Sequence, residues 1–128
     1  YNNRHKAMSR EEIDITISEF AEAARRVRET GADGLEITAS KGYIIHQFLN
    51  PGINNRKDEY GGSRDNRFRL LQEIILAARS KVGDDFPIGI RLSAADYNYL
   101  PLNLRLPIRF PLKHWYFGNT IEYRLSSY

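Results

Sequence analysis

Four residues that could take part in chemistry lie within or just after two short apolar runs. Thr38, Lys41 and Tyr43 follow the run GLEI, and Arg91 lies near the end of the run FPIGIRLS. If both runs are strands of one parallel sheet, their carboxyl ends lie at the same edge, where α/β proteins bind their ligands. The spacing therefore predicts a binding or catalytic site that these four residues share.

Tyr43 and Lys41 each allow a functional and a structural interpretation. An ordinary phenol keeps its proton at neutral pH and can deliver it to a developing carbanion, so Tyr43 is a candidate proton donor. Lys41 could bind an anionic substrate group or form a Schiff base with a carbonyl. The alternatives are a tyrosine that packs against a loop and a solvated surface lysine, and spacing by itself favours these alternatives.

Arg91 is a charged residue inside an apolar run, where an unpaired charge is costly. Its delocalised cation suits an electron-rich, anionic ligand. An ion pair with a neighbouring strand is an equally good interpretation. No histidine stands at metal-ligand spacing from another, and the chain has no cysteine, so we predict no metal site.

Two amphipathic helices and two strands are predicted around these residues. The sequence SREE at 9–12 is a capping box, and an apolar stripe with helical spacing then continues to Val27. A second helix with its own stripe begins near Ser63 or Asp65. Between the two helices, GYIIHQFLNPG predicts a short helical turn, and residues 52–66 predict a polar loop.

The alternation of helix and strand predicts an α/β fold with parallel strands and right-handed crossovers. The two strands, 34–37 and 86–93, are too few for an independent sheet with both faces covered. The pattern fits part of a doubly wound sheet or about half of a (β/α)8 TIM barrel, which needs ~250 residues. The chain has 128 residues, begins with Tyr1 and stops in what resembles a developing helix, so we expect a fragment.

The last third of the chain has a different composition from the rest. The formal net charge is +3, and residues 97–128 carry this excess together with many of the aromatic residues. Basic and aromatic residues together can bind nucleic acid. Several prolines favour instead a loop packed against other protein, and we assign 94–118 to a long loop or lid. For this reason we expect no nucleic acid as partner. No segment approaches the ~18 apolar residues of a membrane span, so we expect no membrane as partner either. We also expect a cytoplasmic location.

The sequence GADGLEI…GYIIHQFLNPGINNRKDEYGGSRDNRFRLLQEI, followed by VGDDFPIGIRLS, resembles the old yellow enzyme family of FMN-dependent NAD(P)H:flavin oxidoreductases, near its 2,4-dienoyl-CoA reductase branch. The match extends over about residues 8–96. It depends on the combination of G-Y-x-x-x-Q-F-L-x-P, N-x-R-x-D-E-Y-G-G-S, N-R and G-[IV]-R-[LI]-S. The resemblance implies that residues 1–128 are part of a TIM barrel, with about strands four and five and their flanking helices. The loop 54–63 is expected to be structural.

The resemblance also implies cofactors and residue roles. Hydride would pass from NAD(P)H to N5 of FMN and on to an unsaturated small-molecule substrate, or an amine would be oxidised. Tyr43 matches the proton-donating tyrosine of the family, and Arg91 matches the arginine at the N1/O2 edge of the flavin, where a cation stabilises the reduced form. If the full-length protein extends further, as the larger family members do, it would also bind an iron–sulfur cluster and FAD. A homo-oligomer is an open alternative for a full-length protein.

Thr38 and Lys41 depart from the ene-reductase pattern, in which His-x-x-His or His-x-x-Asn before G-Y holds the substrate carbonyl. A lysine there favours an anionic substrate group or a different oxyanion partner, and we predict that both residues contact substrate. Two other functions stay open: a Schiff-base lyase or aldolase on a TIM barrel that uses Lys41, and a non-enzymatic basic-aromatic binding fragment. The fragment is expected to be inactive alone.

Overall fold

The computed structural model describes residues 6–93 and two short strands, residues 115–117 and 120–124. These residues form an α/β arrangement. In chain order its elements are α1 (Arg10–Glu29), β1 (Leu35–Ala39), α2 (Ile44–Leu49), α3 (Arg64–Val82), β2 (Ile88–Ser93), β3 (Trp115–Phe117) and β4 (Thr120–Arg124). The order of helices and strands that the sequence predicts up to residue 93 is confirmed.

Helix α1 begins at the predicted capping box. Ser9 Oγ accepts a hydrogen bond from the Glu12 N–H (3.2 Å), and the Glu12 carboxylate accepts one from the Ser9 N–H (2.7 Å). Both amides would otherwise lack a partner, because the first turn of a helix has no preceding carbonyls. The helix ends at Thr30, and Gly31 leaves it with a φ of 80°, which glycine adopts without steric cost.

Helix α3 begins at one of the two predicted positions. Ser63 is its N-cap, and Ser63 Oγ accepts a hydrogen bond from the Asn66 N–H (3.2 Å). Gly83 ends the helix with a φ of 72°. Within the described part of the chain, no helix combines the length and the apolar character that crossing a membrane requires.

Strands β1 and β2 are parallel neighbours, and one face of this pair enters the core. Their register pairs Leu35 with Ile88 and Ile37 with Ile90. Together with Ala39 these side chains pack against the apolar faces of the long helices. The residues of α1 and α3 in this core are Ile13, Ala24, Leu70, Leu71, Ile74, Ala78 and Val82. Each fully buried large aliphatic side chain contributes roughly 1.5–3 kcal/mol, so the core holds both helices against the same face of the sheet.

Residues Thr120–Arg124 form a strand, β4, where we expected the start of a helix. Strand β4 pairs antiparallel with β2 and also with β3, which gives the sheet order β1-β2-β4-β3. The sequence TIEYR contains β-branched and aromatic residues that favour strands, and pairing satisfies the backbone groups at the edge of β2. Most of the predicted loop or lid at 94–118 lies outside the described residues, and Trp115–Phe117 within it form β3.

Residues 50–63 connect α2 to α3 through a loop that side chains tie to the backbone. Asn54 Nδ2 donates to the carbonyl oxygens of Phe48 (2.7 Å) and Tyr60 (2.8 Å). Tyr60 is fully buried, and its hydroxyl donates to Glu73 (2.7 Å). Burial, followed by this hydrogen bond, raises the pKa of Tyr60 to about 12. These are the contacts of a structural loop, as the sequence analysis expected.

Candidate functional site

The parallel pair β1–β2 has a polar face opposite its apolar face. Glu36 and Thr38 of β1 and Gly89, Arg91 and Ser93 of β2 alternate with the core residues, so they point away from the helices. All five are exposed or half-buried. We call these five residues the polar face.

Thr38 and Arg91 are direct neighbours on the polar face, because their Cα atoms are partners in the parallel register. The run GLEI predicted a strand that ends before Thr38, and this boundary is wrong. Strand β1 continues to Ala39, since both Thr38 and Ala39 pair with residues of β2. The structure thus brings two predicted site residues together at the carboxyl end of the sheet.

Arg91 forms an ion pair across the strands. Its Nε lies 2.7 Å from Oε1 of Glu36, which precedes Thr38 by two residues and therefore shares its face. The structure contains the strand-to-strand ion pair that the sequence analysis held open. A guanidinium has five N–H donors, so an ion pair at Nε does not by itself exclude a ligand. The role of Arg91 beside a flavin stays a prediction.

Lys41 has a backbone conformation that few non-glycine residues adopt. Its φ is 59°, and Gly42 follows with a φ of 79°. The Lys41 N–H lies 3.5 Å from Ser93 Oγ at the end of β2. The turn after β1 is therefore placed beside the end of β2, with Lys41 exposed at the carboxyl edge of the polar face.

Both backbone polar groups of Gly42 are bound by side chains of α2. His46 Nδ1 accepts a hydrogen bond from the Gly42 N–H (2.8 Å), and Gln47 Nε2 donates to the Gly42 carbonyl (2.7 Å). His46 is buried, and a neutral imidazole that accepts at Nδ1 carries its proton on Nε2. We call these two contacts the Gly42 clamp. It fixes the turn from which the next residue, Tyr43, projects.

Tyr43 is the N-cap residue of α2 and is 62% exposed. Its N–H donates to the Ser40 carbonyl (3.3 Å), and its own carbonyl accepts from the Gln47 N–H (2.9 Å). The backbone is thus held on both sides while the phenol remains accessible to a ligand. Within residues 6–93, Lys41 and Tyr43 share the turn, but no hydrogen bond joins their side chains.

Two residues without a predicted role contact this site: Glu36 contacts Arg91, and His46 contacts Gly42. Glu36 breaks the apolar run GLEI and stands two residues before Thr38, which could have indicated a shared strand face. His46 stands four residues after Gly42, the spacing at which a helical side chain reaches back to the preceding turn. Residues 6–93 contain no group of acidic or histidine side chains arranged to hold a metal ion.

Replacing His46 is expected to loosen the turn that carries Tyr43. In His46→Leu the Gly42 N–H loses its acceptor, which should cost about 1 kcal/mol and speed exchange of that amide about fivefold. In His46→Asn, Oδ1 stands the same number of bonds from the backbone as Nδ1 of histidine and retains an acceptor. Hydrogen exchange of the Gly42 amide, measured by NMR in the intact chain, compares the two variants. Equal protection in His46→Leu and the unsubstituted chain would contradict the Gly42 clamp.

Comparison with known protein families gives one match that covers most of the chain. The sequence model of the NADH:flavin oxidoreductase / NADH oxidase family matches residues 1–100. The match includes β1, the turn with Lys41 and Tyr43, the loop 50–63 and β2.

Individual relatives agree with this family match. An NADPH dehydrogenase of Bacillus subtilis is 46% identical over 103 residues, which is 80% of this chain and 30% of that protein. An N,N-dimethylglycine/sarcosine dehydrogenase of Chromohalobacter salexigens is 43% identical over 93 residues, 73% of this chain and 13% of the relative. The solved structure of a 2-naphthoyl-CoA reductase complexed with 2-naphthoyl-CoA has a TM-score of 0.65 and 42% identity, and the match covers 66% of this chain and 13% of that one. The chain spans less than a third of the length of each of these three proteins.

Proposed function

Because the chain belongs to the NADH:flavin oxidoreductase / NADH oxidase family, we propose that its polar face is part of the flavin and substrate site of an FMN-dependent oxidoreductase. The observation that carries the proposal is the pairing of Thr38 with Arg91 at the carboxyl ends of two parallel strands, with the Lys41–Tyr43 turn directly beyond. In barrel enzymes this is the edge at which chemistry takes place. We also propose that β1 and β2 are about the fourth and fifth strands of a (β/α)8 barrel.

The chemistry of the polar face fits FMN. When bound, FMN would accept hydride from NAD(P)H and pass it to the substrate. Arg91 offers a permanently charged guanidinium on this face, which would hold the N1/O2 edge of the flavin and favour the negative charge that it gains on reduction. Glu36 and Thr38 surround that guanidinium on the neighbouring strand.

The turn beyond β1 would hold the substrate. Lys41 is exposed at the carboxyl edge and would attract an anionic group of the substrate, while Thr38 would offer its hydroxyl. Tyr43 would deliver a proton to the carbon next to the one that receives hydride. The partner is then an unsaturated organic small molecule, or an amine in the oxidative direction. The similar proteins include both a CoA-ester reductase and an amine dehydrogenase, and this supports either direction.

A chimaeric barrel tests the proposed function. Residues 1–93 of this chain replace the matched segment of the Bacillus subtilis NADPH dehydrogenase, which supplies the remaining strands. The purified chimaera is expected to be yellow, with about one FMN per chain. The 128-residue chain alone should not hold FMN tightly, because much of the phosphate-binding part of a barrel lies in later loops. A folded but colourless chimaera would contradict the proposal. Two further measurements test the proposed location and partners. The protein is expected in the cytosolic fraction of the cell, and no nucleic acid is expected to co-purify with it on anion exchange.

Arg91→Leu in this chimaera is expected to weaken FMN binding by about tenfold or more, or to make the flavin harder to reduce. The reason is that a charge-assisted contact is worth roughly 1.5–3 kcal/mol, and leucine cannot replace it. Titration with FMN and the midpoint potential measure the two effects. Arg25→Leu is the matched control, because it removes an arginine paired with Glu22 on helix α1. Unchanged flavin content and potential in Arg91→Leu would remove Arg91 from the site.

A further inference from the structure

We propose that Glu36 is a positioning residue that holds the Arg91 guanidinium on the polar face and partly neutralises its charge, and so limits how strongly the site favours reduced over oxidised FMN. The inference rests on the proposed function of the polar face. In this proposal the carboxylate of Glu36 on β1 tunes the redox potential of the flavin.

The geometry of the two strands directs Glu36 to Arg91. The register pairs Glu36 with Gly89, and Arg91 is the next residue of β2 on the same face. Gly89 has no side chain, and a Cβ built there would lie 3.8 Å from Cγ of Glu36. A Cβ at this distance would make only an ordinary van der Waals contact, so the register of the strands, and not the glycine, directs Glu36 to Arg91. The Glu36 carboxylate extends past Gly89 and lies 2.7 Å from Arg91 Nε.

The electrostatics of the pair follow from its partial burial. The side chains of Arg91 and Glu36 are 38% and 35% exposed, so water screens their fields only in part. Arg91 is the one cation among the five residues of the polar face, and the adjacent carboxylate cancels much of its charge at a distance. FMN gains negative charge on reduction, and that charge would meet a paired cation instead of a free one.

Glu36 thus has two effects, which two substitutions separate. Glu36→Gln keeps a side-chain oxygen beside Arg91 Nε but removes the negative charge. Glu36→Ala removes the charge and also the contact that holds the guanidinium in place. If only packing mattered, neither substitution would change the flavin potential in a defined direction.

The test measures the midpoint potential and the affinity of FMN in the chimaera that contains residues 1–93. In Glu36→Gln the preference for reduced over oxidised FMN is expected to rise about tenfold, which for a two-electron couple raises the potential by ~30 mV. Glu36→Ala is expected to bind FMN more weakly than Glu36→Gln, because Arg91 is no longer held. Glu22→Gln is the control: it removes an ion-paired carboxylate of α1, 2.9 Å from Lys81 on the helix layer, and should leave the potential unchanged.

Each outcome bears on a separate claim. A potential that stays the same or falls in Glu36→Gln, in a chimaera that binds FMN, overturns the neutralising role. Equal FMN affinity in Glu36→Ala and Glu36→Gln overturns the positioning role. An unsubstituted chimaera that folds and binds no FMN overturns the proposed function itself, and the inference with it.

Discussion

Tyr43→Phe in the chimaera is expected to slow reoxidation of the reduced protein by an activated alkene by ~10²-fold or more, the usual effect of removing a positioned general acid. Reduction by NADPH should remain within a few-fold of normal, because that half-reaction takes no proton from the phenol. In reoxidation, hydride adds to one alkene carbon, and the phenol proton adds to the other. The exposed phenol and the hydrogen-bonded backbone of Tyr43 are the structural basis of this prediction.

Stopped-flow absorbance separates the two half-reactions, and Tyr60→Phe is the matched control. Tyr60 is a buried tyrosine whose hydroxyl donates to Glu73, so its loss should reduce stability and leave both rates within a few-fold of normal. If Tyr43→Phe slows both half-reactions equally, Tyr43 has a structural role only. If it slows neither, the proton comes from another group, and the alkene-reducing part of the proposal fails while flavin binding can stand.

Gly61→Ala is expected to destabilise the intact chain by more than ~4 kcal/mol, the range of exceptional single substitutions. A Cβ at Gly61 would lie 2.6 Å from the carbonyl carbon of Arg56 and would overlap the carbonyl oxygen as well. Arg56 cannot move aside easily. Its N–H donates to Asn54 Oδ1 (3.1 Å), and its guanidinium donates to the Met8 carbonyl (2.8 Å). The backbone of the loop would have to open to admit a single methyl group.

Gly62→Ala is the control for this substitution, because the next residue faces open space. No heavy atom lies within 4 Å of a Cβ built at Gly62, but its φ is 78°. The expected cost is therefore only the roughly 1–2 kcal/mol of a left-handed alanine. Urea unfolding followed by circular dichroism compares the two variants. Similar midpoints for Gly61→Ala and Gly62→Ala would show that the close approach to Arg56 does not limit the loop.

The helices and their boundaries follow from local sequence. The capping box at Ser9, the cap at Ser63 and the glycine at position 83 act on residues within one turn, so their pattern is visible without a fold. The apolar stripes predicted most of the buried helix residues for the same reason. The α/β class and the placement of Lys41 and Tyr43 beyond a strand also came from such short-range patterns. The residue roles taken from the family resemblance depended on matched motifs and stay predictions.

Other features depend on contacts between residues far apart in the chain, which local patterns cannot specify. The two extra residues of β1 are strand because β2 pairs with them, and TIEYR is a strand beside β2 although it resembled the start of a helix. Glu36 reaches Arg91 because the parallel register places the two residues on the same face of neighbouring strands. The sequence alone indicated that Lys41 and Tyr43 follow a strand and that Arg91 lies near the end of another, since strand and turn signals are local. Tertiary structure decided which of them touch across the two strands, because strand register arises only when distant segments pack together.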